Sequence, residues 1–177
     1  MRLATPQKSQ PVRAEQIILF RASSQVFAIS SASVQEVRSV DSLAGAAVEV
    51  NESSLLKVRH AIQRGDRNLY VVNAPMHFGL RPTPAALIFL LRKSRVALLV
   101  DGIEKMTTMT RLQALPGAFC HEERVWYRGV TVLDQNVVPV VNPSGFLTSE
   151  EIALLDAVTS HKNLPQTGAS TQPELPV

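Results

Sequence analysis

Cysteine is almost absent from this chain. The single Cys120 leaves no internal disulfide and no multi-cysteine metal site. Long apolar runs are missing as well. The longest, Ala85 to Leu91, is far short of the roughly 20 residues a membrane-spanning helix needs. The first residues, Met1-Arg2-Leu3-Ala4-Thr5-Pro6-Gln7-Lys8, hold no apolar segment of a secretory signal, so the expectation is a soluble, cytoplasmic protein. Aromatics are only 5% of the residues and rarely interleave with basic ones, which weakens a nucleic-acid reading.

Catalytic patterns are missing too. There is no glycine-rich phosphate loop, no serine nucleophile elbow and no His-x-x-x-His spacing. Cys120-His121-Glu122-Glu123 gathers a thiol, an imidazole and carboxylates, but neighbours along a strand point to opposite faces and make a poor dyad. His60, His77 and His161 are scattered, so neither a metal nor a cofactor is expected. These absences argue against an enzyme.

What is present is enough apolar material for a core: 45% of 177 residues, for one domain or two intimately packed small ones. The formal charge is +3, and much of the excess is local. Lys57, Arg59, Arg64 and Arg67 face only Asp66 in one stretch, and Arg81, Arg92, Lys93 and Arg95 form another. Each cluster reads either as a positive face for an acidic partner or as ordinary solvated turns.

The clearest stretch is Val96 to Ile103: five apolar residues, a stop at Asp101-Gly102, then Ile103. With Ala86 to Leu91 before it, this reads as a meander of three strands joined by short turns. Glu15 to Arg21, Val26 to Ser30 and Val34 to Arg38 are three more strands. Asp41 to Ser54 reads as a surface loop, and Leu55 to Gln63 as a short helical turn leading into a strand that ends at Arg64-Gly65. Leu69 to Asn73 is a strand stopped by Ala74-Pro75, and Pro82-Thr83-Pro84 a linker. Met106 to Leu115 extends towards a turn at Pro116-Gly117, and Val125 to Leu133 pairs with Val137 to Val141 as a hairpin. Thr148 and Glu151 have the spacing of a capping box, and Ile152, Leu155 and Val158 give the following helix an apolar stripe. Residues 1–14 and 162–177 read as flexible tails.

The chain also repeats itself. Phe20 and Phe89 lie 69 positions apart, as do Ala28 and Ala97, Val71 and Val140, Val72 and Val141, and Asn73 and Asn142. Arg64-Gly65 and Arg128-Gly129 recur at 64, implying a length change between blocks. Kept block order points to an internal duplication, and many short strands with one terminal helix point to an all-β barrel architecture.

These residues carry a resemblance. Ile18-Leu19-Phe20, Phe27-Ala28-Ile29, Val34-Gln35-Glu36-Val37, Arg64-Gly65, Val96 to Ile103 and Arg128-Gly129, in that order, resemble a CheW-like domain. It covers residues 15–148, with a linker near 82–84 and a C-terminal helix at 149–161. The resemblance implies an all-β fold of two small five-stranded barrels related by a pseudo-twofold. It further implies a non-catalytic adaptor, without cofactor, that couples the cytoplasmic tip of methyl-accepting chemoreceptors to the regulatory domain of a CheA-type histidine kinase. On this reading Arg64, Gly65, Glu36, Val37 and Val100 are the partner-binding candidates, although Val37 and Val100 also read as core and Asp101-Gly102 as a plain turn. The chain departs from the family where Ala61-Ile62-Gln63 lacks the usual Asn, where Arg59 replaces a common glycine, and where Leu69-Tyr70-Val71 lacks a proline. Two alternatives stay open: a scaffold of a pilus-motility or other chemosensory-like pathway, and a basic OB-like barrel that binds nucleic acid.

Overall fold

A computed structural model of the chain describes residues 13–50 and 54–162. Most of both expected tails therefore lies outside the described residues. Among the described residues, eleven strands form two sheets. In chain order they are β1 (Glu15–Ala22), β2 (Gln25–Ser30), β3 (Val34–Ser39), β4 (Ala47–Glu49), β5 (Val58–Arg64), β6 (Arg67–Asn73), β7 (Leu87–Leu91), β8 (Val96–Val100), β9 (Gly102–Met109), β10 (Tyr127–Leu133) and β11 (Asn136–Val141). A one-turn helix α1 (Ala74–His77) follows β6, and α2 (Ser149–Lys162) ends the described chain.

The first sheet runs β10-β11-β2-β1-β9 and the second β3-β7-β8-β6-β5-β4. A shift of 69 residues carries β5 onto β10 residue for residue, and the β2–β11 parallel pair Ala28–Val140 onto the β8–β6 pair Ala97–Val71. The same shift superposes two bulges, between Val58 and His60 and between Tyr127 and Gly129. Arg128-Gly129 is thus the counterpart of Arg59-His60, not of Arg64-Gly65, and no length change separates the blocks here.

The three-strand meander is corrected. β7 and β8 do form a hairpin, but β9 leaves it and pairs with β1 in the other sheet. The chain crosses at Asp101, whose N–H donates to Arg21 O at 2.9 Å while Thr83 Oγ1 donates to its carboxylate at 2.7 Å. β3 makes the mirrored crossing, pairing with β7 rather than with β2. Each barrel is therefore built from the first hairpin of one repeat and the later strands of the other.

Three further expectations change. The loop at 41–54 contains β4, which continues the edge strand β3 after a turn of 3-10 helix and pairs with β5; it makes the second sheet six-stranded where five were expected. In the first sheet a lone bridge between Gln113 and Val130 does the same closing job. Leu55 to Lys57 is a turn rather than helical, closed by Val58 N–H to Leu55 O at 2.9 Å. Pro75 does not merely stop β6 but occupies the first turn of α1, where its missing N–H costs nothing, and Asn73 Oδ1 caps the turn through Met76 N–H at 3.0 Å. Asn142 repeats that cap on Ser144 N–H at 3.2 Å.

Alternation along the strands makes three cores. Leu19, Ala28, Val138 and Val140 fill the first barrel; their repeat mates Ile88, Ala97, Leu69 and Val71 fill the second. The opposite faces, with Phe20, Phe27, Tyr70, Phe89 and Leu98, form the largest core between the sheets. Phe20 meets its own mate Phe89 edge-on at 5.7 Å, as neighbours astride a twofold axis must. The structure thus consists of two interlocked β-barrels and a terminal helix.

Candidate partner-binding site

The residues singled out from the sequence separate into a surface set and a core residue. Arg64 and Arg67 flank the two-residue turn between β5 and β6. Gly65 takes φ +62° there, which a side chain would resist although a Cβ would meet nothing within 4 Å. Glu36 lies on β3, an edge strand paired only with β7. Arg38, two residues on and so on the same strand face, grips the Glu36 carboxylate with two bonds, Nε to Oε1 at 2.7 Å and Nη2 to Oε2 at 2.9 Å. This grip holds the Glu36 carboxyl below its ordinary range, aided by the charges of Arg38 and Arg64. The fold therefore brings Arg64 into the field of Glu36, residues 28 positions apart in the sequence. Val37, between Glu36 and Arg38 along the strand and so on its opposite face, is 39% exposed, a surface residue rather than the core residue that the strand pattern suggested. Val100 is fully buried between the sheets, and its carbonyl accepts Ala86 N–H at 3.1 Å. Asp101-Gly102 is a crossing between barrels rather than a hairpin turn.

What this arrangement offers chemically is a pattern of fixed charges on the second barrel. Arg64 makes no ion pair among the described residues, so its forked donors are available for a carboxylate or for helix-end carbonyls. The equivalent rim of the other barrel carries Lys105 and Asp134, joined at 2.9 Å. The two barrel ends thus differ in charge pattern despite a common backbone.

Cys120 and His121 lie in an irregular loop, not a strand, and Cys120 is exposed, its N–H donating to Glu123 Oε2 at 2.9 Å. No group of three His, Cys, Asp or Glu side chains among the described residues is placed to hold a metal ion. No helix of the described residues is long and apolar enough to cross a membrane.

Two features escaped the sequence reading. Arg95, part of a basic cluster in the sequence, chelates Asp156 of α2 at 2.6 Å through each terminal nitrogen, and Tyr70 hydroxyl donates to the same carboxylate. His77 is buried against Trp126 and Phe146, with ring centroids 4.8 and 5.0 Å away. Only the 69-residue shift, which aligns His77 with Phe146, hinted that this histidine fills an aromatic core position.

Comparison with known proteins agrees with this architecture. The family model of the CheW-like domain matches residues 16–151, and the chain belongs to that family. Among solved structures, it is similar to the scaffolding protein TtCheW from Thermoanaerobacter tengcongensis, with a TM-score of 0.65 and 13% identity, covering 81% of this chain and 99% of the other. At that identity the likeness is one of fold. No curated protein matches the sequence.

Proposed function

We propose that this protein is a non-catalytic cytoplasmic adaptor that couples the tips of chemoreceptors to the regulatory domain of a CheA-type histidine kinase. The observation that carries the reading is membership of the CheW-like family over residues 16–151, joined to a partner surface on the second barrel. There Arg64, which makes no ion pair among the described residues, stands in the field of Glu36 on the edge strand β3. Two rigid barrels locked by a shared core hold two partners at a fixed distance and angle, which is what coupling a receptor to a kinase needs. A helical receptor tip would present carboxylate or carbonyl oxygens to the forked donors of Arg64.

The test is a pull-down against the kinase regulatory domain and a receptor cytoplasmic fragment, followed by kinase activity in a reconstituted mixture. The wild type is expected to bind both, and Arg64→Glu to lose receptor coupling while keeping its fold. Retained coupling in Arg64→Glu would remove Arg64 from the site. Binding to neither partner would overturn the adaptor reading.

A further inference from the structure

Two turns far apart in the sequence meet beside the C-terminal helix. Arg67 follows the β5–β6 turn, and Arg92, Lys93 and Arg95 belong to the β7–β8 turn. Together they border a cleft of about 700 Å3. Its apolar walls are Leu69 and Val96 from the barrel, Leu147, and Ile152 from α2.

The charges around this cleft are unbalanced. No carboxylate lines it. Arg95 is neutralised by Asp156, but Arg67, Arg92 and Lys93 make no ion pair among the described residues; Arg92 gives only its Nε to Ala32 O at 3.2 Å. The acids nearest in sequence, Asp66, Glu150 and Glu151, do not line it, and Glu151 is held by Lys57 at 2.8 Å and by Thr148 N–H at 2.8 Å. Folding has thus merged parts of two basic stretches, and Arg67, Arg92 and Lys93 border apolar surface without an ion pair among the described residues.

We propose that this cleft binds a carboxylate-rich peptide segment of a partner protein, one with apolar residues between its acids. The guanidinium forks of Arg67 and Arg92 and the ammonium of Lys93 take the carboxylates, and the apolar walls take the intervening side chains. A nucleic-acid strand fits less well, because no aromatic ring lines the cleft to stack a base. A lone inorganic anion would leave most of the volume and all of the apolar wall unused. Arg64 does not line the cleft, although it pairs with Arg67 across the β5–β6 turn, so Lys93 on the β7–β8 turn is the residue that separates this inference from the receptor-coupling reading.

The experiment is fluorescence anisotropy with a short labelled peptide of alternating Glu and Leu, beside a Lys-Leu peptide and an oligothymidylate. The wild type is expected to bind the Glu-Leu peptide saturably, more weakly as salt rises, and to prefer it over both controls. Arg67→Glu combined with Lys93→Glu, checked by circular dichroism to be folded, should weaken binding about tenfold or more. Lys93→Glu alone, on the turn remote from Arg64 in sequence, should show part of that loss. Unchanged affinity in the folded double variant would overturn the proposal, as would equal or tighter binding of the oligothymidylate, or no saturable binding by the wild type at low salt.

Discussion

At the scale of single residues, His77 carries a clear cost. It is 95% buried by its 5% exposure, and neither ring nitrogen has a partner among the described residues. Burial among rings, with Lys57 nearby, pushes its pKa down to about 3. A neutral imidazole is therefore favoured in the fold, while the unfolded chain takes up a proton near pH 6.5. Stability is highest above pH 6.5 and falls as pH drops towards 3, because the unfolded state binds the extra proton. Between pH 7.5 and 5.5 this one group should cost about 1.4 kcal/mol. His77→Phe, matching its mate Phe146, should remove that part of the slope. Urea unfolding of both proteins at the two pH values measures it, and equal slopes would show that His77 takes up its proton in the fold as readily as in the unfolded chain. At Gly65 the cost is conformational: with φ +62° and open space around it, Gly65→Ala should destabilise by about 1 kcal/mol. A larger loss would mean that the turn is also packed.

At the scale of elements, α2 is held by its first turn and by its buried face. Thr148 and Glu151 form the reciprocal cap anticipated from their spacing, with Glu151 N–H to Thr148 Oγ1 at 3.1 Å and Thr148 N–H to Glu151 Oε2 at 2.8 Å. Leu155 is fully buried, and Ile152 and Val158 pack on the central core. Asp156 then locks the helix to the β7–β8 turn through Arg95, whose hydrogen bonds hold the Asp156 carboxyl below its ordinary range. This contribution is present above the unfolded pKa of Asp and is lost as pH falls through the lower folded value. Asp156→Ala should cost about 1–2 kcal/mol, reduced from the value of a fully buried pair because both partners reach solvent; thermal unfolding reports it. The strands show a second element effect. Tyr70 donates its N–H to Arg95 O at 2.7 Å at the start of a four-residue parallel pairing of β6 with β8. Its repeat mate Pro139 has no N–H, and β11 makes a single parallel pair with β2.

For the whole molecule, the decisive fact is interleaving. β1 and β2 of the first repeat pair with β9 and β11 of the second, while β7 and β8 of the second pair with β3 and β6 of the first. Neither repeat contains a complete barrel, so each alone would expose sheet edges and the apolar faces of the central core. Fragments 13–82 and 85–162 should each lack stable β structure and regain it when mixed, followed by far-UV circular dichroism. A well-folded single fragment would show that one repeat suffices.

Local pattern determined a great deal by itself. Strand alternation, the Thr148–Glu151 spacing and the 69-residue repeat made the all-β class, the terminal helix and the twofold plan legible, because each depends on residues near one another or on matching positions. The tertiary structure alone decided which strand joins which sheet. Val96 to Ile103 reads as a hairpin at every local level, yet at Asp101 the backbone bonds to Arg21 instead of folding back, since the exposed edge of β1 needs a partner and β8 already has two in β7 and β6. The charged sites followed the same rule. Glu36 with Arg64, Arg95 with Asp156, and Arg67 with Lys93 are separated along the chain, and only the tertiary fold made them neighbours.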